Sequence, residues 1–394
     1  MQPTDVRSHN LARVLRRIAF AEDPISRADL AHSTGLTKPT VSKLVDQLSA
    51  GGLLIEGEPI RLGGSGRPMI PISAAGDGAV GIGIEISADH VAVLVRRLDG
   101  STAAKEIEAG TFEDAPEAAA RAAARLLAPH VETLASQTKI PGISAAIPGR
   151  ISHDRSVVAS APNLGWEGIP FADMLQRELG QRVKRRSGYP RPRLGNDARL
   201  VARTEMLTRR GESFIVVHGE TGIGGTVVIN GQILHGDQGW AGEIGHVVVD
   251  PNGPQCRCGR SGCLESYASA WAIRRKTGLS EDIPINELPS KLAPEALDEM
   301  AYWLGIGLSS TITLLDIPTV VLAGYFGRMF PQIQQSVGET INAHSLAAED
   351  RPVTIAEAAI SDNGPLLGAA IYSLQPLLDN PLPYLRTDSG PAAA

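Results

Sequence analysis

All three cysteines of the chain lie in the eight-residue stretch CRCGRSGC, at Cys256, Cys258 and Cys263. They make a poor disulfide framework, because one thiol is left over and the loops are too short to close well. The spacing suits one tetrahedral metal ion, and Gly259 and Gly262 allow the backbone to fold tightly around it. A redox-active Cys-x-Cys pair and three thiols without a common role are the alternatives.

Length and composition limit the kind of protein that positions these thiols. A chain of 394 residues predicts two or three domains, and a hydrophobic content of 43% is sufficient for a sizeable core. We find neither a signal-peptide pattern near the N-terminus nor an apolar run approaching the roughly 20 residues that cross a bilayer. Scarce cysteine fits a reducing compartment. The sequence therefore predicts a cytoplasmic protein without a membrane partner.

Charge is unevenly distributed along the chain. Residues 1–75, here called the head, contain nine Lys or Arg and seven Asp or Glu, a balance of +2. The remaining 28 basic and 36 acidic residues give −8, for a net charge of −6. This contrast indicates that the head, rather than the rest, contacts an anionic partner.

The pattern of the head predicts a helix-turn-helix followed by a two-stranded wing. Apolar residues at helical spacing predict a first helix over residues 7–20. Ser26 and Asp29 are typical of the cap of a second helix, which ends at Gly35, and Thr37 caps a third. After the third helix, LLIEGEPIRLGGSGRPMIPIS has the pattern of two strands around a glycine-rich tip. The apolar stripe of the third helix consists of Val41, Leu44, Val45 and Leu48.

The opposite face of the third helix supplies candidate contacts to operator DNA. The second helix of a helix-turn-helix lies in the major groove, where hydroxyls, amides and lysines suit base edges and phosphates. A helical protein-interaction module is the alternative, but the capped turn, the hydroxyl-rich face and the basic wing together favour double-stranded DNA. The candidate contacts are Lys38, Thr40, Ser42, Lys43 and Gln47 on the helix and Arg61 and Arg67 on the wing.

The rest of the chain predicts an α/β fold with two lobes. Two segments, AVGIGIEISADHVAVLVRRLDG and SFIVVHGETGIGGTVVINGQI, each have the pattern strand, turn, strand, and helices and buried strands follow each. This repetition suggests a ribonuclease-H-like fold of the actin and hexokinase type, with a cleft between the lobes. We expect a linker at 76–79, a body at 80–378 and a flexible tail at 379–394.

Several motifs of the body resemble the ROK family (repressors, open reading frames and kinases). GEIGHVVVD followed by CRCGRSGCLES resembles its zinc signature, which is highly specific. PNLGW, NDA, TGIGG and LLGAA are each weak signals, but they occur in the expected order. With the winged head included, the resemblance covers nearly the whole chain.

The resemblance implies a metal site and a ligand site. His246 is the implied fourth ligand, with the three cysteines, of a structural Zn²⁺. A monosaccharide or a sugar derivative is the implied small-molecule partner, because carboxylates and amides replace the water around a polyol. Gly149 and Arg150 are further candidate contacts. The implied sugar-binding residues are Asn196, Asp197, Glu243, His246 and Glu265.

The resemblance also separates a sensor from an enzyme. Asp197 matches the catalytic base of ROK sugar kinases, and TGIGG suits a phosphate. The kinases carry Asp-x-Gly-Gly-Thr in their first turn, whereas this chain has EISAD from Glu85 to Asp89, without the glycines and with an added carboxylate. We therefore predict a sugar-responsive regulator, a homodimer or homotetramer and more often a repressor than an activator, with Asp197 as a vestigial base. The alternatives are an active ATP-dependent sugar kinase with a DNA-binding head, and a protein adaptor.

A basic segment departs from the family pattern. Residues 182–193 contain six Lys or Arg in a stretch that is longer than usual before the NDA motif. We interpret it as a solvated loop. Binding of a phosphate on the effector, or contact with DNA, is the alternative.

Overall fold

The computed structural model describes residues 3–21, 23–60, 69–135, 137–184, 189–346, 351–360 and 363–385. The helices are α1 Pro3–Ala19, α2 Arg27–Thr34, α3 Lys38–Ala50, α4 Pro116–Leu134, α5 Phe171–Arg182, α6 Asp197–Thr208, α7 Glu265–Ala268, α8 Ala270–Thr277, α9 Pro294–Leu315, α10 Tyr325–Arg328, α11 Phe330–His344, α12 Gly364–Ser373 and α13 Gln375–Asp379. The strands are β1 Leu54–Glu56, β2 Ile72–Ala74, β3 Val80–Ile86, β4 His90–Arg97, β5 Thr102–Ala109, β6 Ile143–Ile147, β7 Arg150–Ile151, β8 Val158–Ala161, β9 Trp166–Ile169, β10 Arg193–Asn196, β11 Phe214–Gly219, β12 Ile223–Ile229, β13 Gln232–Ile233, β14 Thr319–Gly324 and β15 Thr354–Glu357.

The three helices of the head form where the capping residues predict them. Ser26 and Asp29 make a reciprocal capping box at the start of α2, and Gly35 ends that helix in the left-handed region at φ 67°. Thr37 caps α3, accepting a hydrogen bond from the Thr40 amide. The predicted apolar stripe of α3 is buried against α1 and α2. The bounds of α2 and α3 thus follow from local signals in the sequence.

A short hairpin follows the three helices. Strands β1 and β2 pair antiparallel, with Leu54 opposite Ala74, and an isolated bridge joins Ile60 to Met69. The predicted wing contacts Arg61 and Arg67 lie outside the described residues.

Two five-stranded sheets with the same topology form the body. The order is β5-β4-β3-β6-β10 in the first sheet and β13-β12-β11-β14-β15 in the second. In each order the first three strands alternate in direction. The last two strands run parallel to the third, on which they build the rest of the sheet. This repeated order confirms the predicted two-lobed, ribonuclease-H-like α/β fold.

Helices cover both sheets. Two of them, α6 and α12, pack between the lobes. Helices α4 and α5 pack in the core of the first sheet, and α9 and α11 in that of the second. Between the lobes, α12 packs on β3 while α6 packs on β12, and the two helices pack on each other. A Cβ at Gly368 would lie 2.0 Å from the Leu200 carbonyl oxygen, so only glycine allows this close crossing.

The head shares a hydrophobic core with the end of the body. Leu377 and Leu378 of α13 are buried in the same cluster as α1 and α3. The expected linker forms a short 3-10 turn at Gly76–Gly78, and the buried Ala79 belongs to this cluster. The part of the expected tail that the structure describes, up to residue 385, also packs here through Leu382 and its neighbours. This apolar contact differs from the flexible tail that we expected from residue 379.

Two further findings concern elements that the sequence left undefined. β5 extends the first sheet at its edge, although its sequence TAAKEIEA is poor in the β-branched and aromatic residues that favour strands. Its pairing with β4 provides the order that the local sequence does not indicate. Among the described residues, no helix combines the length and the apolar character that a membrane span requires.

Candidate functional site

Four side chains of the cysteine loop converge on one point. The donor atoms of His246, Cys256, Cys258 and Cys263 all lie within 4.8 Å of one another. The Sγ atoms of Cys258 and Cys263 are 3.7 Å apart, and His246 Nδ1 is 4.0 Å from Cys256 Sγ. Two sulfurs that are each about 2.3 Å from a tetrahedral ion lie about 3.8 Å apart. The donor set and its spacing therefore fit a four-coordinate metal ion, and the predicted ligands are brought together.

Backbone contacts hold the loop in this shape. Val248 pairs with Cys263 in an isolated bridge, and the Leu264 amide donates to the Val247 carbonyl at 2.9 Å. Gly262 has φ 72°, and a Cβ there would lie 1.6 Å from the Asp250 carbonyl oxygen. A side chain at that position would open the loop, so the glycine is required for the ligand geometry.

Two of the three thiols of this cluster, Cys256 and Cys263, resist ionisation, whereas hydrogen bonds from the Arg260 amide and the neighbouring thiols lower the pKa of Cys258. Burial, together with the charge of Cys256, raises the pKa of the Cys263 thiol to about 12. Burial also raises the pKa of Cys256. A metal ion that binds here displaces protons from sulfur, so its apparent affinity rises with pH.

A cavity of about 420 Å³, here called the central cavity, lies beside the cluster in the cleft between the lobes. Polar side chains and backbone from both sheets line it. Gly149 and Arg150 are part of its wall, as is Trp240, over whose ring Arg150 Cζ lies at 4.2 Å. All five residues assigned to sugar by the family resemblance line the central cavity: Asn196, Asp197, Glu243, His246 and Glu265.

Two of these residues begin helix α6. Asn196 Oδ1 accepts a hydrogen bond from the Arg199 amide at 3.1 Å, and its Nδ2 donates to the Gly149 carbonyl at 3.1 Å. Asn196 Nδ2 also donates to Asp197 Oδ1 at 3.0 Å. Asn196 therefore caps the helix as well as facing the cavity. Burial, reinforced by the Glu85 and Glu243 carboxylates, raises the pKa of Asp197 to about 7.

Glu265 connects the metal cluster to the glycine loop before β12. Its Oε2 accepts a hydrogen bond from the Ile223 amide at 2.9 Å, and Cys256 Sγ lies 3.8 Å from its Oε1. A Cβ at Gly222 would lie 2.4 Å from this carboxylate. Through these two contacts Glu265 joins the cysteine loop to the glycine loop.

Sequence reasoning missed two residues of the site, His218 and Glu220. Both line the central cavity, and their donor atoms lie within 4.8 Å of each other and of Asp197. Neither ring nitrogen of His218 has a hydrogen-bond partner among the described residues, and burial lowers its pKa to about 4. Burial and the carboxylates of Glu85 and Asp197 raise the pKa of Glu220 to about 8. Glu220 directly precedes TGIGG, so its place beside the glycine turn was visible in the sequence.

A second cavity of about 270 Å³ lies behind these two residues. Glu85, Asp89 and Glu220 line it, so three carboxylates face the same space. Glu85 is 7% exposed, and burial raises its pKa. Asp89 Oδ1 lies 2.7 Å from Nδ1 of His90, which holds the pKa of Asp89 below its usual value. His90 and Arg328 line the same cavity, so acidic and basic side chains are mixed here.

The predicted DNA-binding side chains of the third helix all lie outside its buried stripe but differ in exposure. Lys38 and Lys43 are exposed, and Ser42 is half-buried. Thr40 Oγ1 lies 2.8 Å from Thr37 Oγ1, and Gln47 Oε1 accepts a hydrogen bond from Arg7 Nε at 3.2 Å. Neither lysine side chain has a hydrogen bond or salt bridge to another described residue, whereas Thr40 and Gln47 make contacts within the head.

Comparison with known proteins shows likeness to regulators and to kinases. A model described as the ROK family matches residues 81–375. The xylose repressor of Bacillus subtilis (strain 168) is 26% identical over 388 residues, covering 95% of this chain and 97% of that repressor.

Solved structures share the fold. The ROK family transcriptional regulator described as a homologue of the Escherichia coli MLC protein has a TM-score of 0.74 at 22% identity, covering 97% of this chain and 99% of that chain. The ROK family glucokinase from Streptomyces griseus, in complex with glucose and AMPPNP, has a TM-score of 0.62 at 23% identity, covering 75% of this chain and 100% of that chain. The regulators therefore align over the head as well as the body.

Proposed function

The chain belongs to the ROK family, and from this premise we propose that it is a sugar-responsive transcriptional repressor. The head would bind operator DNA through α3 and its wing, and the central cavity would bind a monosaccharide or a sugar derivative. The similarity to a xylose repressor over 95% of the chain supports regulation of transcription. We propose a cytoplasmic homodimer or homotetramer, since a two-fold protein matches a palindromic operator.

One observation carries the sugar assignment: five polar residues from separate segments converge on a single cavity beside a metal cluster. A polyol loses its hydration on binding and needs fixed donors and acceptors in exchange. Asp197, Glu243 and Glu265 supply carboxylates, Asn196 an amide and His246 an imidazole. Their positions are set by the start of α6 and by the cysteine loop. The cavity therefore matches a small polar ligand.

We propose that Zn²⁺ occupies the cysteine cluster in a structural role. Three thiolates and one imidazole complete a tetrahedron and leave no position for a reactive water. When bound, the ion would supply the positive charge that keeps the thiols ionised. With Nδ1 of His246 directed to the metal, Nε2 would be held as a donor for a sugar hydroxyl, because the metal fixes the tautomer.

We propose that the chain has no kinase activity. A sugar kinase must hold the phosphates of ATP against a base, and Asp197 is present as that base. The altered first turn opposes this reaction, because it lacks the two glycines that let backbone approach a phosphate and because Asp89, whose pKa is held low, lines the second cavity. Incubation with ATP and a panel of hexoses tests the alternative. Sugar-dependent turnover that Asp197→Asn abolishes would show that the chain is an enzyme.

Regulation would follow from closure of the lobes on the sugar. Helix α6 begins in the central cavity and packs on α12, which leads directly into α13 and the shared core with the head. A sugar that binds the closed form more tightly would move this helix pair and so change the spacing of paired heads. It shifts the balance only by its difference in affinity for the two forms.

The decisive experiment measures binding of the full chain to DNA from upstream of its own gene. We expect a saturable complex by gel shift, and release of the DNA by one member of a panel of monosaccharides and sugar phosphates. Glu265→Gln should abolish the response to sugar while DNA binding without sugar persists. Failure of the full chain to select this DNA over a scrambled duplex would contradict the proposal.

A further inference from the structure

A third cavity, of about 290 Å³, lies beside the central cavity and is rich in arginine. We call it the arginine cavity. Four guanidinium groups line it, from Arg150, Arg155, Arg199 and Arg203. They come from β7, from the turn after it and from α6, so the tertiary fold brings together charges that are well separated along the chain.

Three guanidinium groups surround one buried aromatic ring. The Cζ atoms of Arg203, Arg155 and Arg193 lie 4.4, 4.9 and 5.8 Å from the ring centroid of Tyr372. The ring is 7% exposed. Cation–π contact with Tyr372 orients the three side chains, but it supplies much less than a full counter-charge.

No carboxylate within the described residues forms a salt bridge with these three arginines at 4.0 Å or less. Arg199 is similarly without a carboxylate and donates to the carbonyls of Gly239 and Ala241. Burial and mutual repulsion lower the pKa of Arg155 and lower that of Arg203 to about 10. Arg155, Arg199 and Arg203 are half-buried and Arg193 is exposed, so the cluster is only partly shielded from water and is short of negative charge.

The acidic residues near the cavity do not remove this excess. Asp237 and Glu243 line it with the four arginines, and Asp379 lies on the side of the head, where it pairs with Arg16. His235 also faces the cavity, and burial together with the arginines lowers its pKa. The balance inside the cavity is therefore positive by two formal charges, four Arg against two acids.

We propose that the arginine cavity is a binding site for a phosphate dianion. Planar guanidinium groups donate paired hydrogen bonds to phosphate oxygens, and several of them around one space give the geometry that phosphate recognition uses. A bound dianion would pair the half-buried charges that no carboxylate of the described residues pairs.

The position of the cavity permits two sources for the phosphate. Its wall shares Gly149, Arg150, Asn196 and Glu243 with the central cavity. The phosphoryl group of a sugar phosphate could thus lie among the arginines while its ring lies beside Asn196. Free inorganic phosphate could equally occupy the site next to an uncharged sugar.

Titration calorimetry on the full chain, loaded with zinc, tests the site with three probes: inorganic phosphate, glucose 6-phosphate and glucose. Ionic strength is matched with chloride. We expect one saturable phosphate-dependent event per chain, weakened at least tenfold by Arg155→Gln or Arg203→Gln. Arg177→Gln is the control, because it removes an exposed charge from α5. Inorganic phosphate alone probes the site, so the result stands apart from the identity of the sugar.

The remaining comparisons separate the sources and guard against misfolding. Competition between inorganic phosphate and glucose 6-phosphate, with the latter binding more tightly, identifies a sugar phosphate. Phosphate that binds together with glucose identifies the free ion. If circular dichroism shows that Arg203→Gln is unfolded, Arg203→Lys takes its place. That variant retains the charge but loses the paired donors, so it should still weaken phosphate binding. Absence of saturable heat with both phosphates, or binding that the arginine variants leave unchanged, overturns the proposal.

Discussion

His246 belongs to two sites at once, because its ring faces the cysteine cluster and also lines the central cavity. In the proposed function, this single side chain would couple metal binding to ligand binding. Removal of the metal should disturb the cavity through this ring and through Glu265, whose carboxylate lies beside Cys256.

A conservative change at one thiol tests this coupling. We expect Cys258→Ser to lose the one zinc per chain that elemental analysis should find in the unaltered protein. Thermal unfolding should then show a loss of about 3–5 kcal/mol in the free energy of unfolding, because the loop loses its cross-link. Ser261→Ala in the same loop is the control. A variant that keeps full stability and sugar response without zinc would contradict the structural role.

Glu220 should make the stability of the protein depend on pH. A carboxyl whose pKa is raised on folding, here from 4.5 to about 8, binds more protons in the folded state than in the unfolded state between those values. Stability from this group is therefore present at low pH and is lost as pH rises toward 8.

The matching variant is Glu220→Gln, which cannot ionise. We expect it to raise the free energy of unfolding at pH 8 by on the order of 2 kcal/mol and to change it little at pH 4. Glu117→Gln, at an exposed position on α4, is the control. Equal effects of Glu220→Gln at the two pH values would show that ionisation is not the cause.

At the scale of elements, α3 should contribute to DNA affinity through charge. Lys38 and Lys43 are exposed on its outer face. If each contacts a phosphate, Lys43→Ala should weaken operator and non-specific DNA alike and reduce the slope of log affinity against log salt by about 0.9. Lys291→Ala, far along the body, is the control. An unchanged slope, measured by fluorescence anisotropy, would exclude a phosphate contact by Lys43.

The sequence predicted best those elements that local chemistry determines. The cap at Ser26, the stop at Gly35 and the stripe of α3 are all local signals, and the structure confirms them. The repeated strand, turn, strand pattern likewise predicted both sheets. β5 was missed because its pairing partner, rather than its own composition, makes it a strand.

The residues of the candidate site also fall into those that local sequence predicts and those that only the fold brings together. The cysteine loop is compact in sequence, so its three thiols were found directly, and the resemblance supplied His246. His218 and Glu220 were missed because TGIGG was interpreted as a phosphate cradle without the residues before it. The arginine cavity depends on residues from distant segments that meet only in the folded chain. No pattern of spacing could predict it.

At the scale of the whole molecule, the shared core should join the stability of the head to that of the body. Leu377 is fully buried among residues of α1 and α3. We expect Leu377→Ala to lower the free energy of unfolding by about 2–5 kcal/mol. It should also loosen α1, although Leu377 is more than 300 residues away from that helix in sequence. Hydrogen exchange of the α1 amides should accelerate and DNA affinity should fall.

A matched leucine separates this effect from general destabilisation. Leu308 is equally buried, but in the core of the second sheet. Leu308→Ala should lower stability by a similar amount while exchange in α1 stays slow at temperatures where the variant is folded. If both variants loosen α1 equally, the contact with α13 has no special role.

The shared core bears on the design of chimeric regulators, because the head is not a self-contained unit of packing. The apolar core of the head is completed by Leu374, Leu377 and Leu378, which lie far along the chain in the body. A chimera that carried residues 1–75 alone would expose the apolar surface that these leucines cover. A successful exchange between relatives should move the head together with Leu374 and α13.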